Sequence, residues 1–345
     1  MLRYSQSHSR FIPAQHQALL ALEYARNREV DSNVLLRGTS LFEADLLRCR
    51  TCIAPADYLQ LLRNLDAVLG AGDTSFMLGQ QLLPGHYGHL SHALQQATCL
   101  GQALDLLIAH QGTFSPLLAP HRMDLGDSTA LYWTDCWGKP SQRSFLVEMM
   151  MTAVTAMGRW LGGERLPWRY CFNRARPRHI EQYEVHLGAS LSFNDYLDAM
   201  LIDSAWLARP WPRGSGMGVA MAEALARQAE PEGGVPALLA VLYDYLLQRI
   251  RLAPSLEQCA ADFGISPATL KRHLAHYGTS FQAELDLVRA HVTLQLMQQR
   301  QMVNEDIAAY LGFHDANNFR RSLKRWTGLT PSMLRQHPLG GMAQA

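Results

Sequence analysis

The chain is poor in several features whose absence is informative. Its 345 residues include only six cysteines and three lysines, and charged residues make up 18% of the whole. Sparse, scattered thiols exclude a disulfide framework of the kind that staples small secreted domains. One C-x-x-C pair, Cys49 and Cys52, has neither a second such pair nor histidines at ligand spacing, so packing is the plainer role for it. No run reaches the roughly 20 apolar residues a membrane-spanning helix needs, and the longest apolar stretch, 238–247, is interrupted by Asp244. Near the start, Arg3, Arg10, Glu23, Arg26 and Asp31 break up any signal-like apolar core, which leads us to expect a cytoplasmic protein without a membrane partner. A Walker-type loop, G-x-G-x-x-G and G-x-S-x-G are also missing, so neither an enzyme activity nor a cofactor is expected.

What is present is apolar: 48% of residues, with a net charge of +1, enough to build a folded core in a chain long enough for two domains. Charge is unevenly spread. From Arg251 onward there are 10 Lys/Arg against 7 Asp/Glu, a balance of +3, which leaves 21 against 23, or −2, in the preceding part. Two of the three lysines, Lys271 and Lys324, lie in that basic tail. Clusters of Pro, Gly and Trp at 210–216 and of Pro, Glu and Gly at 231–234 mark a boundary, with an Ala-rich stretch at 219–228 between them that reads as a short helix. The organisation expected is a first domain at 1–210, a connector at 211–235, a second domain at 236–337 and a tail at 338–345.

The first part mixes periods. Tyr58, Leu61, Leu62, Leu65, Val68 and Leu69 recur at helical spacing, as do Ala103, Leu104, Leu107 and Ile108. Residues 123–125 and 128–135 read as two strands around the turn Gly126-Asp127, 145–161 as a long Met-rich helix and 168–173 as a further strand. The fold class is α+β: mixed helices and antiparallel strands, then an all-α domain.

The last hundred residues carry the most specific pattern. Ser255 can cap a helix that ends at Gly264, and Ser266-Pro267 can start the next. That second helix would bury Leu270 and Leu274 and present Ala268, Thr269, Lys271 and Arg272. The pattern is a helix-turn-helix, although a solvated helical hairpin would carry the same signals. About fifty residues later, 304–313 repeats the capped helix and glycine turn, and 315–326 supplies a second candidate recognition helix with Asn317, Asn318, Arg320, Arg321, Lys324 and Arg325. Arginine can pair bidentately with guanine and asparagine with adenine in the major groove of double-stranded DNA. An intervening helix at 281–298 would span roughly 27 Å at 1.5 Å per residue, close to the ~34 Å between successive major grooves.

The motifs Gly264-Ile265-Ser266, Gly278-Thr279-Ser280-Phe281, Leu311-Gly312-Phe313, Phe319-Arg320-Arg321, Lys324-Arg325-Trp326-Thr327-Gly328 and Thr330-Pro331 together resemble the DNA-binding domain of the AraC/XylS family of bacterial transcription regulators. The resemblance implies base contacts from Ala268, Lys271 and Arg272 in the first unit and from Asn317, Asn318, Arg320 and Arg321 in the second. Ser322-Leu323 departs from the Ala-Phe frequent in the family, and Ala268 is too short to reach far. Val34 to Ser40, 58–69, 101–107 and Pro177-Arg178-His179 resemble the N-terminal domain of the ornithine-regulator-like branch. That implies a sensing, self-associating domain, hence a homodimer, an unknown small-molecule effector and RNA polymerase as partners, with activation as the expected mode of control.

His86, Tyr87 and His89, with Trp133 and Trp137 on the strand pair, are the effector-contact candidates. The spacing of three among His86, His89 and His92 lacks further ligand residues nearby, so no metal is expected. The alternative is a ligand-independent regulator whose first domain binds only itself or another protein.

Overall fold

A computed structural model describes residues 4–47, 51–138, 141–229, 236–336 and 338–341. Cys49, Lys139 and 231–234 of the expected connector lie outside the described residues.

Two short strands, β1 (Ile12–Pro13) and β2 (Cys52–Ile53), pair near the start. Helices α1 (Gln17–Arg26), α2 (Ser32–Leu35), α3 (Glu43–Leu47), α4 (Pro55–Leu69), α5 (Thr74–Leu82), α6 (His89–Gln95), α7 (Leu100–Ala109) and α8 (Gln111–Phe114) precede the main sheet. Its strands are β3 (Leu118–Asp124), β4 (Ser128–Asp135), β5 (Arg169–Phe172), β6 (Leu191–Phe193) and β7 (Ala199–Asp203), in the spatial order β3-β4-β7-β5-β6. All neighbours are antiparallel except β5 and β6. The expected hairpin is present and longer than its apolar pattern indicated, because β3 starts at Leu118. Strands β6 and β7, which the sequence reading did not anticipate, complete the sheet.

Helix α9 (Arg143–Gly162) crosses one face of the sheet, and α10 (Ile180–His186) lies between β5 and β6 in sequence. Met149, Met151 and Met157 of α9 are buried in the larger apolar core, which also takes in Trp133, Tyr170 and Phe172 from the sheet. Gly79 lets α5 approach α9 closely, since a Cβ there would meet the Met149 carbonyl oxygen at 2.4 Å. The Ala-rich connector forms α11 (Gly216–Ala229), which packs on α6.

The opposite face of the sheet belongs to a second core. Helix α12 (Leu238–Arg249) packs there, and Leu238, Leu242, Tyr243 and Leu246 join Met123, Ala130, Tyr132 and Leu201 of the strands. The same core continues into the C-terminal helices α13 (Leu256–Asp262), α14 (Pro267–His276), α15 (Phe281–Gln299), α16 (Asn304–Tyr310), α17 (Ala316–Thr327) and α18 (Pro331–Gln336). No helix among the described residues is long and apolar enough to cross a membrane.

Candidate nucleic-acid interface

Local chemistry sets both helix-turn-helix units. Ser255 Oγ accepts from the Gln258 amide and Gln258 Oε1 from the Ser255 amide, each at 3.2 Å, a reciprocal pair that satisfies two free N–H groups of α13. Gly264 then turns the chain at φ +71. Ser266 Oγ accepts from the Thr269 amide at 3.1 Å, and Pro267 opens α14 with its φ already helical. Leu270 and Leu274 are fully buried, one turn apart. Ala268, Lys271 and Arg272 are exposed, while Thr269 is half-buried with its hydroxyl 2.9 Å from Ser266 Oγ.

The second unit reaches the same shape by partly different means. Gly312 turns the chain at φ +75. Asp315 caps α17, one oxygen accepting from the Asn318 amide at 2.7 Å and the other from Asn318 Nδ2 at 2.9 Å. Phe319 and Leu323 are buried beneath; Asn317, Asn318, Arg320, Arg321 and Lys324 face solvent. Helix α16, by contrast, has no side-chain cap: Val303 precedes it, and Asn304 Oδ1 instead accepts from Arg335 at 3.1 Å. The capped start expected at 304 is therefore replaced by a tie to α18.

Side-chain bonding separates the candidate readers. Among the described residues Lys271, Arg272, Arg321 and Lys324 have no ion-pair partner, so their donors are open to an anion or a base edge. Arg320 donates to Asn317 Oδ1 at 2.6 Å, and Asn318 spends its amide on the Asp315 cap. Either asparagine would have to give up a bond within α17 to pair bidentately with adenine. Arg325 is committed elsewhere, to Asp286 of α15 at 3.1 Å.

Contacts the sequence did not disclose hold this domain to the rest. Tyr4 packs on Phe263 with its hydroxyl 3.3 Å from His273 Nδ1, and the Ser7 amide donates to the Tyr277 hydroxyl at the end of α14. Gly138, at φ +83, lies so close to Tyr277 that a Cβ would meet its carbonyl oxygen at 2.4 Å. Deeper in, the Tyr243 hydroxyl bridges the Tyr132 hydroxyl at 2.7 Å and His291 Nδ1 at 2.8 Å, linking β4, α12 and α15. His121 stacks on Tyr132, with Nε2 2.8 Å from Thr134 Oγ1. Burial pushes the His121 imidazole down to about 4 and that of His291 to about 3, so both are neutral.

The effector candidates are not brought together. His86 and His89 are exposed, whereas Tyr87 is buried against His16, Phe114 and Gln17. Trp133 lies in the larger core, and Trp137 is half-buried between Phe11 and Tyr277 while donating to the Pro116 carbonyl at 2.7 Å. Trp137 thus belongs to the seam between the domains. Apolar enrichment on the hairpin served packing, and the exposed histidines share no cavity with it. Among the described residues no group of three or more His, Cys, Asp or Glu could hold a metal ion.

Residues 30–211 match the profile described as the arabinose-binding domain of AraC transcription regulator, N-term, and residues 259–337 match a helix-turn-helix domain. The ornithine utilization regulator of Pseudomonas aeruginosa is 30% identical over 317 residues, covering 87% of this chain and 91% of that one. A helix-turn-helix transcriptional regulator of Mycobacterium tuberculosis is 30% identical over 116 residues, 34% of this chain and 33% of its own length. Among solved structures, the transcriptional regulator CdpR from Pseudomonas aeruginosa is similar at 20% identity and a TM-score of 0.42, covering 93% of this chain and 98% of that one. The chain therefore belongs to the AraC family of transcription regulators, as a DNA-binding protein with an arabinose-binding-type N-terminal domain and not an enzyme.

Proposed function

We propose that this regulator lays α14 and α17 in successive major grooves of promoter DNA and activates transcription when a small molecule binds its N-terminal domain. Lys271 and Arg272 would read the first groove and Arg321 and Lys324 the second, with Ala268, Thr269, Asn317, Asn318 and Arg320 completing the contact surfaces. The observation that carries the reading is the pair of capped helices, each with two exposed, unpaired cations above two buried apolar side chains. Effector control is supported by the profile match over 30–211 and by the physical continuity of that domain with the DNA-binding helices through one core. The reading includes contact with RNA polymerase at the promoter and a cytoplasmic location.

A homodimer is part of this reading, and α11 supports it. Met217, Met221 and Leu225 recur every fourth residue and are exposed, Met217 by 84%, while Val219, Ala222 and Ala226 on the other side are buried. An uncovered apolar stripe of that kind is a natural self-association face. Met221→Glu should shift the protein to monomers, measured by analytical ultracentrifugation.

The decisive experiment is genome-wide binding of the purified full-length protein to fragmented DNA, run beside Arg272→Ala and Arg321→Ala. Each substitution should cost about 1–3 kcal/mol of affinity and relax specificity at a separate base position. Unchanged binding by either variant would remove its helix from the groove.

A further inference from the structure

An open cleft of about 470 Å³ lies between α5, α9, α10 and the turn that follows α9. It lies apart from the effector candidates named above, and none of its lining residues takes part in the DNA-binding helices. Thr152 and Thr155 line it from α9, Arg159 and Trp160 from the next turn of the same helix, Arg165 from the turn beyond and His186 from α10.

Three features give this cleft a chemistry. The first is charge: Arg159 and Arg165 are both exposed, neither has an ion-pair partner among the described residues, and no carboxylate lines the cleft. Two uncompensated guanidiniums in one concavity attract an anion and present forked donors that match a carboxylate. The second is an unmet hydrogen bond. Thr152 is 1% exposed and its hydroxyl has no partner, an uncommon state for a buried polar group in a folded protein. Neighbouring Thr155 is fully engaged, with the Met151 carbonyl and the Tyr170 hydroxyl both at 2.7 Å, so a general shortage of partners is not the cause. The third is an apolar wall. Trp160 is 56% exposed and Val185 71% exposed at the rim, and the His186 ring is stacked on Phe76. His186 Nδ1 lies 2.8 Å from Gln80 Nε2, and accepting that amide proton leaves its Nε2–H as a further donor.

We propose that this cleft binds a small monocarboxylate with an apolar body, its carboxylate held by Arg159 and Arg165 and its body lying against Trp160 and Val185. The inference deepens the ligand-responsive reading and rests on it. Ornithine has a carboxylate but would also bring two ammonium groups beside two arginines into a cleft with no acidic side chain, so the cleft disfavours it.

The test uses the full-length protein and calorimetric titration with sodium benzoate and sodium hexanoate, beside benzyl alcohol, inorganic phosphate and L-ornithine. Saturable binding of a carboxylate probe is expected, weakened at least about tenfold in Arg159→Ala and in Arg165→Ala, the worth of one charge-assisted hydrogen bond. Both side chains are exposed and unpaired, so the variants should melt with the parent protein. Arg37→Ala, an exposed arginine outside the cleft, should bind the probes unchanged. Quenching of tryptophan fluorescence by benzoate should disappear in Trp160→Phe. No saturable binding of either carboxylate, equal binding of benzyl alcohol, preference for phosphate or ornithine, or undiminished binding in both arginine variants would each overturn the assignment. Operator affinity measured with and without the bound probe separates the two readings: binding at the cleft with no change in DNA affinity upholds the site and removes ligand control.

Discussion

The two helix-turn-helix units share their glycine turns and the capped second helix over buried apolar side chains, yet they are anchored to different things. The first is gripped by the N-terminal domain: Tyr4 against Phe263 and His273, Ser7 on the Tyr277 hydroxyl, and Gly138 against the Tyr277 backbone. The second recognition helix, α17, packs on α15, α16 and α18, all within its own domain, with Arg325 tied to Asp286. The same motif is thus a docked element in one place and a self-contained one in the other. A signal arising in the N-terminal domain has a direct physical route to α14, and reaches α17 through its neighbours α15 and α18.

Acid should disturb this asymmetry most. His121 and His291 both lie at the seam, facing Tyr132, Tyr243, Asp244 and, through its charge, Arg143. Their folded pKa values lie below the ordinary 6.5, so between 6.5 and about 4 the unfolded chain binds more protons and stability falls as pH drops. Asp244 works the other way, since burial raises it to about 6, but its side chain is half exposed and offsets only part of the loss. The expected outcome is a stability loss on the order of a few kcal/mol toward pH 4, read by chemical denaturation across the range. Loss of hydrogen-exchange protection should begin in α15 and α12, not in α17.

Core truncation comes next. Leu270→Ala and Leu323→Ala each empty a fully buried site and should cost about 2–5 kcal/mol. Leu323→Ala should loosen α16 and α17 with the N-terminal domain's protection intact. Leu270→Ala should also raise exchange around Tyr4 and Gly138. Identical exchange maps for the two variants would erase the distinction between the units.

The mildest probe is Gly138→Ala. A Cβ there collides with backbone and sits at a positive φ, a strain of about 1–3 kcal/mol that separation from Tyr277 would relieve. The first unit should become more mobile by hydrogen exchange while α17 is unaffected.

How much of this was legible in the sequence follows from the range of each interaction. The caps at Ser255 and Ser266 and the turns at Gly264 and Gly312 are set by residues within four positions and were readable, whereas the cap expected at 304 is absent and the one at Asp315 was not singled out. Helix α9 was recognised to within two residues, because twenty residues of apolar periodicity leave little freedom. Strand β7 was not, since its place between β4 and β5 depends on partners seventy and thirty residues away. The separation of the effector candidates was hidden for a related reason: aromatic residues on a strand look alike whether they line a cavity or fill a core, and only the opposing layer decides. The Tyr132, Tyr243 and His291 chain joins residues up to 159 positions apart and left no local trace. The unmet Thr152 hydroxyl was equally invisible, being defined by what does not touch it.

Helix α15 contains neither glycine nor proline over its 19 residues, and His291 near its middle is bonded into the seam. A rod of about 28 Å with no hinge sets the distance between the two reading helices from within the protein. DNA turns by about half a revolution over five base pairs, so a spacer lengthened by that amount would carry the second target to the far side of the duplex. The rod cannot twist to follow it. On the proposed placement of α14 and α17, tolerance to changes in operator spacing is therefore fixed by a helix that offers the bases nothing to read.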